Sequence, residues 1–356
     1  MPGALTTVLI IPTGIGAAMG GYAGDAIPVV RALGQVCDQI ITHPNVLNGA
    51  QLYWSMPNVA YVEGYGLDQF AAGAWGLKRV SANRIGLLFD QAIEPDLRLR
   101  HLQAAEACRA TLGLKLTDYV ITDQPLGVEL RTSPSGATWG TLKHPDSLLR
   151  AAAKLIETAQ AQAIAIVARF PDQIDAQALS AYRQGQGVDP LAGAEAIISH
   201  LVVREFQIPA AHAPALMPLP LDATLSPQAA AEELGYTFLP SVLVGLSQAP
   251  QFVSLDPQVF HDRPDVIDRQ CVDVVISPAG ACGGPGLLAL SQTQAQIITV
   301  VDNPTTLNVT AEGLGIKALA VQSYAEAIGV LAAMKAGVAV SRLWPRMGRL
   351  QELSKE

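Results

Sequence analysis

Short apolar runs recur along the chain, each cut off by proline, glycine or a polar cluster, and amphipathic stretches stand between them. The runs predict β-strands near 8–11, 38–42, 59–62, 84–89, 119–122, 163–168, 237–246, 272–276, 297–301 and 318–321. The intervening stretches read as helices. The clearest is PDLRLRHLQAAEACRATLG, with Pro95 in its first turn and Gly113 as its stop. Another is SPQAAAEELG, capped by Ser226, opened by Pro227 and ended at Gly235. Strands separated by helices of this length pair in parallel through crossover connections, so the chain is an α/β protein.

The punctuation repeats. VLIIPTGIGAAMGGYAGDA near the start parallels VDVVISPAGACGGPGLLAL near the end, matching Pro12, Gly14 and Gly20-Gly21 to Pro278, Gly280 and Gly283-Gly284. Next, DQIITHPNVLN, ending at Asn48, parallels AQIITVVDNPTTLN, ending at Asn308. Both copies continue into β-rich stretches ending at Tyr65 and Tyr324. A weaker middle copy is SPSGATWG at 133–140, which aligns with SPAGACGG at 277–284. The expected fold is therefore Rossmann-like: parallel or mixed sheet units with internal pseudo-symmetry, in two or three strand–glycine turn–helix copies. The expected units are 1–116, 117–215, a connecting segment 216–270, and a C-terminal unit 271–356 that repeats the first.

The apolar opening is no secretion signal by its pattern, because no basic residue precedes Val8 and Pro12 interrupts the core. The uncharged stretch 234–255 is broken by Pro240, Gly245 and Pro250, which reads as buried strands and turns and not as a membrane span. A net charge of −8 excludes a nucleic-acid or anionic-membrane surface as the main partner. Cys37, Cys108, Cys271 and Cys282 lack CxxC spacing, as expected of reduced thiols in a cytoplasmic protein. With only 15% charged residues, some surface is expected to be buried in a homo-oligomer.

Strand-to-helix turns in α/β units are where ligands bind. Glycines there let a backbone approach an anion, and helix N-termini attract it. Thr13, Gly14, Gly16, Gly20, Gly21, Gly280, Gly283 and Gly284 are thus candidate ligand-cradling residues, with packing as their alternative use. The spacing matches neither the dinucleotide fingerprint nor the P-loop, so no cofactor is named. Polar residues at the same strand ends supply the remaining candidates: Asn45, Asn48, Asn303 and Asn308 as ligand contacts, and Arg169 as an anion clamp. His43, His212 and Asp123 are candidate acid/base groups. Cys282, at an expected helix start, is a candidate nucleophile; the other cysteines are assigned to packing. Asp90 and Asp172 end strands as caps or turn formers. His200 sits on an apolar helical pattern and reads as a hydrogen-bonded core histidine, while His101, His144 and His261 look solvated. No histidines stand at i, i+4 or as HxH, so no metal site is assigned.

The stretches IPTGIGAAMGGYAGDA, THPNVLNGAQLYW, VARFPD and YTFLPSVLVGLSQAPQ resemble a family of unknown function associated with cyanobacteria and related phototrophs, over nearly the whole chain. That resemblance implies no activity and no site residues. Architecturally the chain is also similar to ring-opening amidases built from three repeated units, although their serine motifs and repeat-matched lysines are missing here. The leading expectation is an enzyme, possibly a hydrolase or transferase, acting on a small carboxylate or phosphate metabolite. Its rivals are a small-molecule sensor using the same pocket without turnover, a structural oligomer, and the threefold amidase-like hydrolase.

Overall fold

The computed structural model describes residues 4–22, 24–47, 54–172, 175–233, 239–256, 265–343 and 345. Asn48, Gly235 and His261 lie outside the described residues. The chain opens with β1 (Thr6–Leu9), α1 (Ile27–Leu33), β2 (Gln39–Thr42), α2 (Pro44–Leu47), β3 (Val59–Tyr61) and α3 (Gly64–Ala72). It continues through β4 (Trp75–Lys78), β5 (Ile85–Phe89), α4 (Pro95–Leu112) and β6 (Leu116–Ile121). Next come β7 (Val128–Thr132), β8 (Thr138–Leu142), α5 (Pro145–Ala159), β9 (Ala163–Arg169), α6 (Ala176–Arg183), α7 (Ala192–Phe206) and β10 (Ala210–Ala215). The last part holds α8 (Pro227–Glu233), α9 (Leu239–Ser247), β11 (Gln251–Ser254), β12 (Val266–Ile267), β13 (Val274–Pro278), α10 (Pro285–Leu290), β14 (Gln296–Val300), β15 (Ala318–Val321) and α11 (Tyr324–Lys335).

Two parallel sheets organise these elements, giving a mixed α/β protein. One has the order β15-β14-β13-β1-β2-β3, every neighbouring pair being parallel. From β1 the chain moves outward through β2 to β3, and from β13 it moves outward the other way through β14 to β15. The second sheet, β10-β9-β5-β6, is also parallel. The antiparallel sheet β11-β4-β12 and the hairpin β7-β8 complete the set. Strands such as β5 and β9 are buried throughout most of their length, as their continuous apolar runs require in sheets covered on both faces.

Two expectations are corrected. The run at 237–246 is not a strand: its described part is helix α9, which buries Leu239, Val242, Leu243 and Leu246 at helical spacing. SPSGATWG is not a strand-to-helix turn. Ser133 N–H donates to Ala137 O and Gly136 takes φ +84°, so the segment closes the antiparallel hairpin β7-β8. A threefold repeat of strand–turn–helix units loses its middle copy by that geometry. The sheets join distant parts of the chain, because β5 pairs with both β6 and β9, and β1 pairs with β13. One apolar core runs from Ile40, Val274 and Ile298 of the first sheet to Ile85, Ala165 and Val167 of the second, with α9 contributing between them.

Asn83 ties α9 into this arrangement. Its side chain donates to Leu246 O and Ala249 O, both at 2.8 Å, and its backbone N–H donates to Ser247 O. Its Oδ1 accepts from Gln251 Nε2. These bonds satisfy carbonyls at the helix C-terminus that have no partner inside the helix. Asn83 is 1% exposed, so water cannot replace it. Asn83→Ala should therefore lower stability by about 2–4 kcal/mol. A urea titration should show a lower midpoint with an unchanged slope.

Candidate functional site

The segment after β1 is held down from two sides. His43 follows β2 and accepts the Ile11 N–H on Nε2 at 3.0 Å. Asn45, in α2, donates from Nδ2 to Ile11 O and to Gly20 O. From the other half of the sheet, Asn303 accepts the Met19 N–H and donates to Met19 O and to the Tyr324 hydroxyl. Thr306 N–H donates to Ile15 O, and Thr138 N–H to Gly14 O. Gly14, at φ +70°, leaves no room for a side chain, since a Cβ there would lie 2.8 Å from Thr138 Oγ1. The same turn carries half-buried Thr13, and Gly16, Gly20 and Gly21 press on neighbouring backbone and side chains. The two glycine turns thus converge near one strand-end edge, but the close approach they permit is to the protein's own chain. Gly280 packs against Leu307 O and Gly283 against Val309; Gly284 caps α10.

Several candidate side chains are used up in the same way. His43 is only 8% exposed, because Pro44 starts a helix that tucks the imidazole beneath the turn; it does not stand at a cleft mouth. Arg169 has the paired fork expected of it, but the carboxylates are Glu94 and Asp172 of the same chain. Asp90 is buried and accepts N–H groups of Ala92, Leu126 and Arg169. Asp123 is exposed and bound by Arg150 and Ser147, which lower its pKa to about 2, the wrong direction for an acid/base group. Cys282 is fully buried and its Sγ faces Pro278 O and Ala279 O; burial pushes the thiol up, against a nucleophilic role. His212 lies within β10, its ring nitrogens facing Ser199 Oγ at 3.2 Å and Glu195 at 3.7 Å. Asn308 is exposed, and so is Cys271, contrary to its packing assignment.

A different cluster has the features of a working site. It stands at the carboxyl ends of β2 and β3, where α3 packs on α7. Glu63 is the N-cap of α3: Oε2 accepts the Gly66 N–H at 3.1 Å, while Oε1 pairs with His200 Nδ1 from α7. The Glu63 side chain is 2% exposed, whereas that of His200 is 40% exposed. A carboxylate on Nδ1 fixes the tautomer and leaves Nε2 as the basic nitrogen. Burial works against the His200 charge, but the Glu63 hydrogen bond and charge, helped by Asp68, outweigh it and raise the pKa. Asp68, one turn further along α3, is raised to about 6, chiefly by burial and against the opposing Gly286 N–H and His200. Two titrating groups of different type therefore influence one another electrostatically near the buried Glu63 carboxylate, a pattern found at acid–base sites. Sequence reading missed Glu63 and Asp68 and placed His200 in the core. The signal was present: Glu63 stands directly before GYGLDQF in the capping position of a helix. Among the described residues no group of three or more His, Cys, Asp or Glu side chains is placed to hold a metal ion.

The chain matches the family described as Protein of unknown function (DUF3326) over residues 6–344, and it belongs to that family. It is 59% identical over 350 residues, 98% of this chain and 96% of the relative, to an uncharacterized lipoprotein of Synechococcus sp.. The resemblance to an uncharacterised family found in cyanobacteria is thereby shown. The expectation of a cytoplasmic protein is corrected by that relative, which is named a lipoprotein. No helix among the described residues is long and apolar enough to cross a membrane. No solved structure matches the chain.

His43 and Asp68 make opposite contributions to stability as pH changes. His43 is held neutral, its pKa lowered to about 4 by burial first and by His200 second. The unfolded chain takes up that proton below roughly pH 6.5, so this stability is present above 6.5 and lost as pH falls towards 4. Asp68 runs the other way: the folded state holds its proton longer, so stability is lost as pH rises from roughly 4 to 6. In urea unfolding across this range, His43→Gln should lose less stability than the parent on acidification. Asp68→Asn should lose less on alkalinisation. Each difference should reach about 1–3 kcal/mol.

Proposed function

We propose that this protein is an enzyme that moves protons on a small polar metabolite at the carboxyl ends of β2 and β3. The observation that carries the proposal is the divided Glu63 carboxylate, with one oxygen on the cap of α3 and the other on His200 Nδ1. Such an anchor holds a partly exposed imidazole ready as a base. Asp68, with its raised pKa, serves as the acid. The Gly286 N–H and the Arg169 fork, which an anionic ligand could have used, already bind carboxylates of the chain. Proton transfer in a hydrolase or transferase fits these groups better than an anion cradle does.

The strand order supports a second, architectural element of the proposal. Reading outward from the centre, β1-β2-β3 and β13-β14-β15 are two parallel triplets in opposite directions. Each triplet begins with a strand followed by a glycine turn and a helix. We read them as one duplicated Rossmann-like unit, whose halves meet at β1 and β13. Ligands of doubly wound sheets bind at such a switch point, on the carboxyl side. The proposed site lies on that side.

The test is to incubate the protein with a defined pool of small polar metabolites and follow consumption by mass spectrometry. The parent protein should consume at least one component, and His200→Gln should be slower by roughly 10²–10⁴-fold. With His200 as base and Asp68 as acid, the rate should pass through a maximum, one limb set by each group. Glu63→Gln removes the partner that raises the His200 pKa, so the limb set by His200 should move to lower pH. A parent protein that retains a component without consuming it, and a His200→Gln protein that retains it equally, would establish the sensor alternative.

A further inference from the structure

The amino ends of the second sheet carry a cleft unconnected with the proton-transfer site. Its first lobe, of about 470 Å³, is lined by Arg84, Arg109, Leu114, Lys115, Leu116 and Gln162. A second lobe of about 300 Å³ shares Arg84, Arg109 and Leu116 and adds Asp118 at its wall. The first lobe thus gathers three cations and no carboxylate in a chain of net charge −8. Such a concentration runs against the overall charge, and Glu106 offsets only the Arg109 cation.

Rigid backbone sets these residues. Arg84 and Gln162 stand just before β5 and β9, and Lys115 just before β6. Gln162 N–H donates to Arg84 O at 2.7 Å, Arg84 N–H donates to Gln162 Oε1 at 3.0 Å, and Ile85 N–H donates to Lys115 O at 2.8 Å. Arg109 comes from the last turn of α4 and shares its charge with Glu106, three residues earlier on the helix. Among the described residues neither Arg84 nor Lys115 makes an ion pair; the Arg84 guanidinium has only the Gln160 Oε1 contact at 3.5 Å. We infer that this cleft binds a phosphate-bearing anion, with Arg84 and Lys115 as its principal contacts and Arg109 closing the lobe. An arginine fork beside a lysine point charge is the donor set that recognises phosphate oxygens. The phosphate could belong to a free metabolite or to a lipid headgroup, and the cation chemistry is the same for both.

Isothermal titration with inorganic pyrophosphate at low ionic strength tests the free anion. Sedimentation with phosphatidylcholine vesicles, with and without phosphatidylglycerol, tests the headgroup. All three cations sit at the surface, so an Arg84→Gln/Lys115→Gln protein should fold normally, as circular dichroism would verify. Pyrophosphate binding to the parent that weakens at least about tenfold in the double variant, and not in Arg131→Gln, supports the site with a free ligand. Co-sedimentation only with phosphatidylglycerol, lost in the double variant, supports it with a lipid ligand. No binding in either assay, or binding that the double variant leaves unchanged, overturns it. Because these residues lie apart from Glu63, Asp68 and His200, neither result bears on the proton-transfer proposal.

Discussion

The carboxyl edge of the six-stranded sheet depends on one constraint: the irregular backbone after β1 must be satisfied without regular secondary structure. Three polar side chains, buried His43 and Asn303 and half-buried Asn45, meet that need. His43 and Asn45 reach it from the β2 side, and Asn303 reaches it from the β14 side. Each would be expensive to bury alone, and the turn would be expensive to bury without them. Together they bind Ile11, Met19 and Gly20 and join the two halves of the sheet. Glycine at 14 follows from the same crowding, since the hairpin residue Thr138 occupies the space that a side chain would need.

That arrangement explains why polar residues at strand ends need not be catalytic. A histidine that accepts a backbone N–H under a turn is held neutral by burial and is poorly suited to exchanging protons. The neighbouring strand ends differently. β3 runs into the helix cap at Glu63, and capping consumes only one carboxylate oxygen. The other is left for His200, which reaches across from α7 with much of its ring still exposed. Local capping chemistry thus fixes the orientation of a carboxylate, and tertiary packing supplies the group it orients. The same helix then places Asp68 where burial raises its pKa.

Much of the architecture was legible because it follows from short-range rules. The buried runs in β2, β5, β9, β13 and β14 are continuous and apolar, which only a parallel sheet covered on both faces can accept. Helix α4 begins at Pro95 and ends at Gly113, where φ is +67°. Errors arose where one local pattern suits two conformations. The apolar residues of 239–246 serve a strand or a buried helix, and packing against β9 and β10 chose the helix. Ser-Pro-Ser-Gly suits a hairpin as readily as a strand-to-helix turn, and the pairing of β7 with β8 decided between them.

The sequence by itself determined an α/β chain with parallel strands, because strand burial and helix caps are local properties. Only the tertiary structure decided which polar groups remain available for chemistry. Asp123 and Arg169 find ion-pair partners in the chain, His43 finds a backbone donor, and Cys282 is buried. Glu63 and His200 are separated by more than a hundred positions in the sequence, yet share a contact. No periodicity along the chain encodes that pairing. It arises because α3 and α7 pack together at the edge of the sheet, and a carboxylate buried there must find a partner.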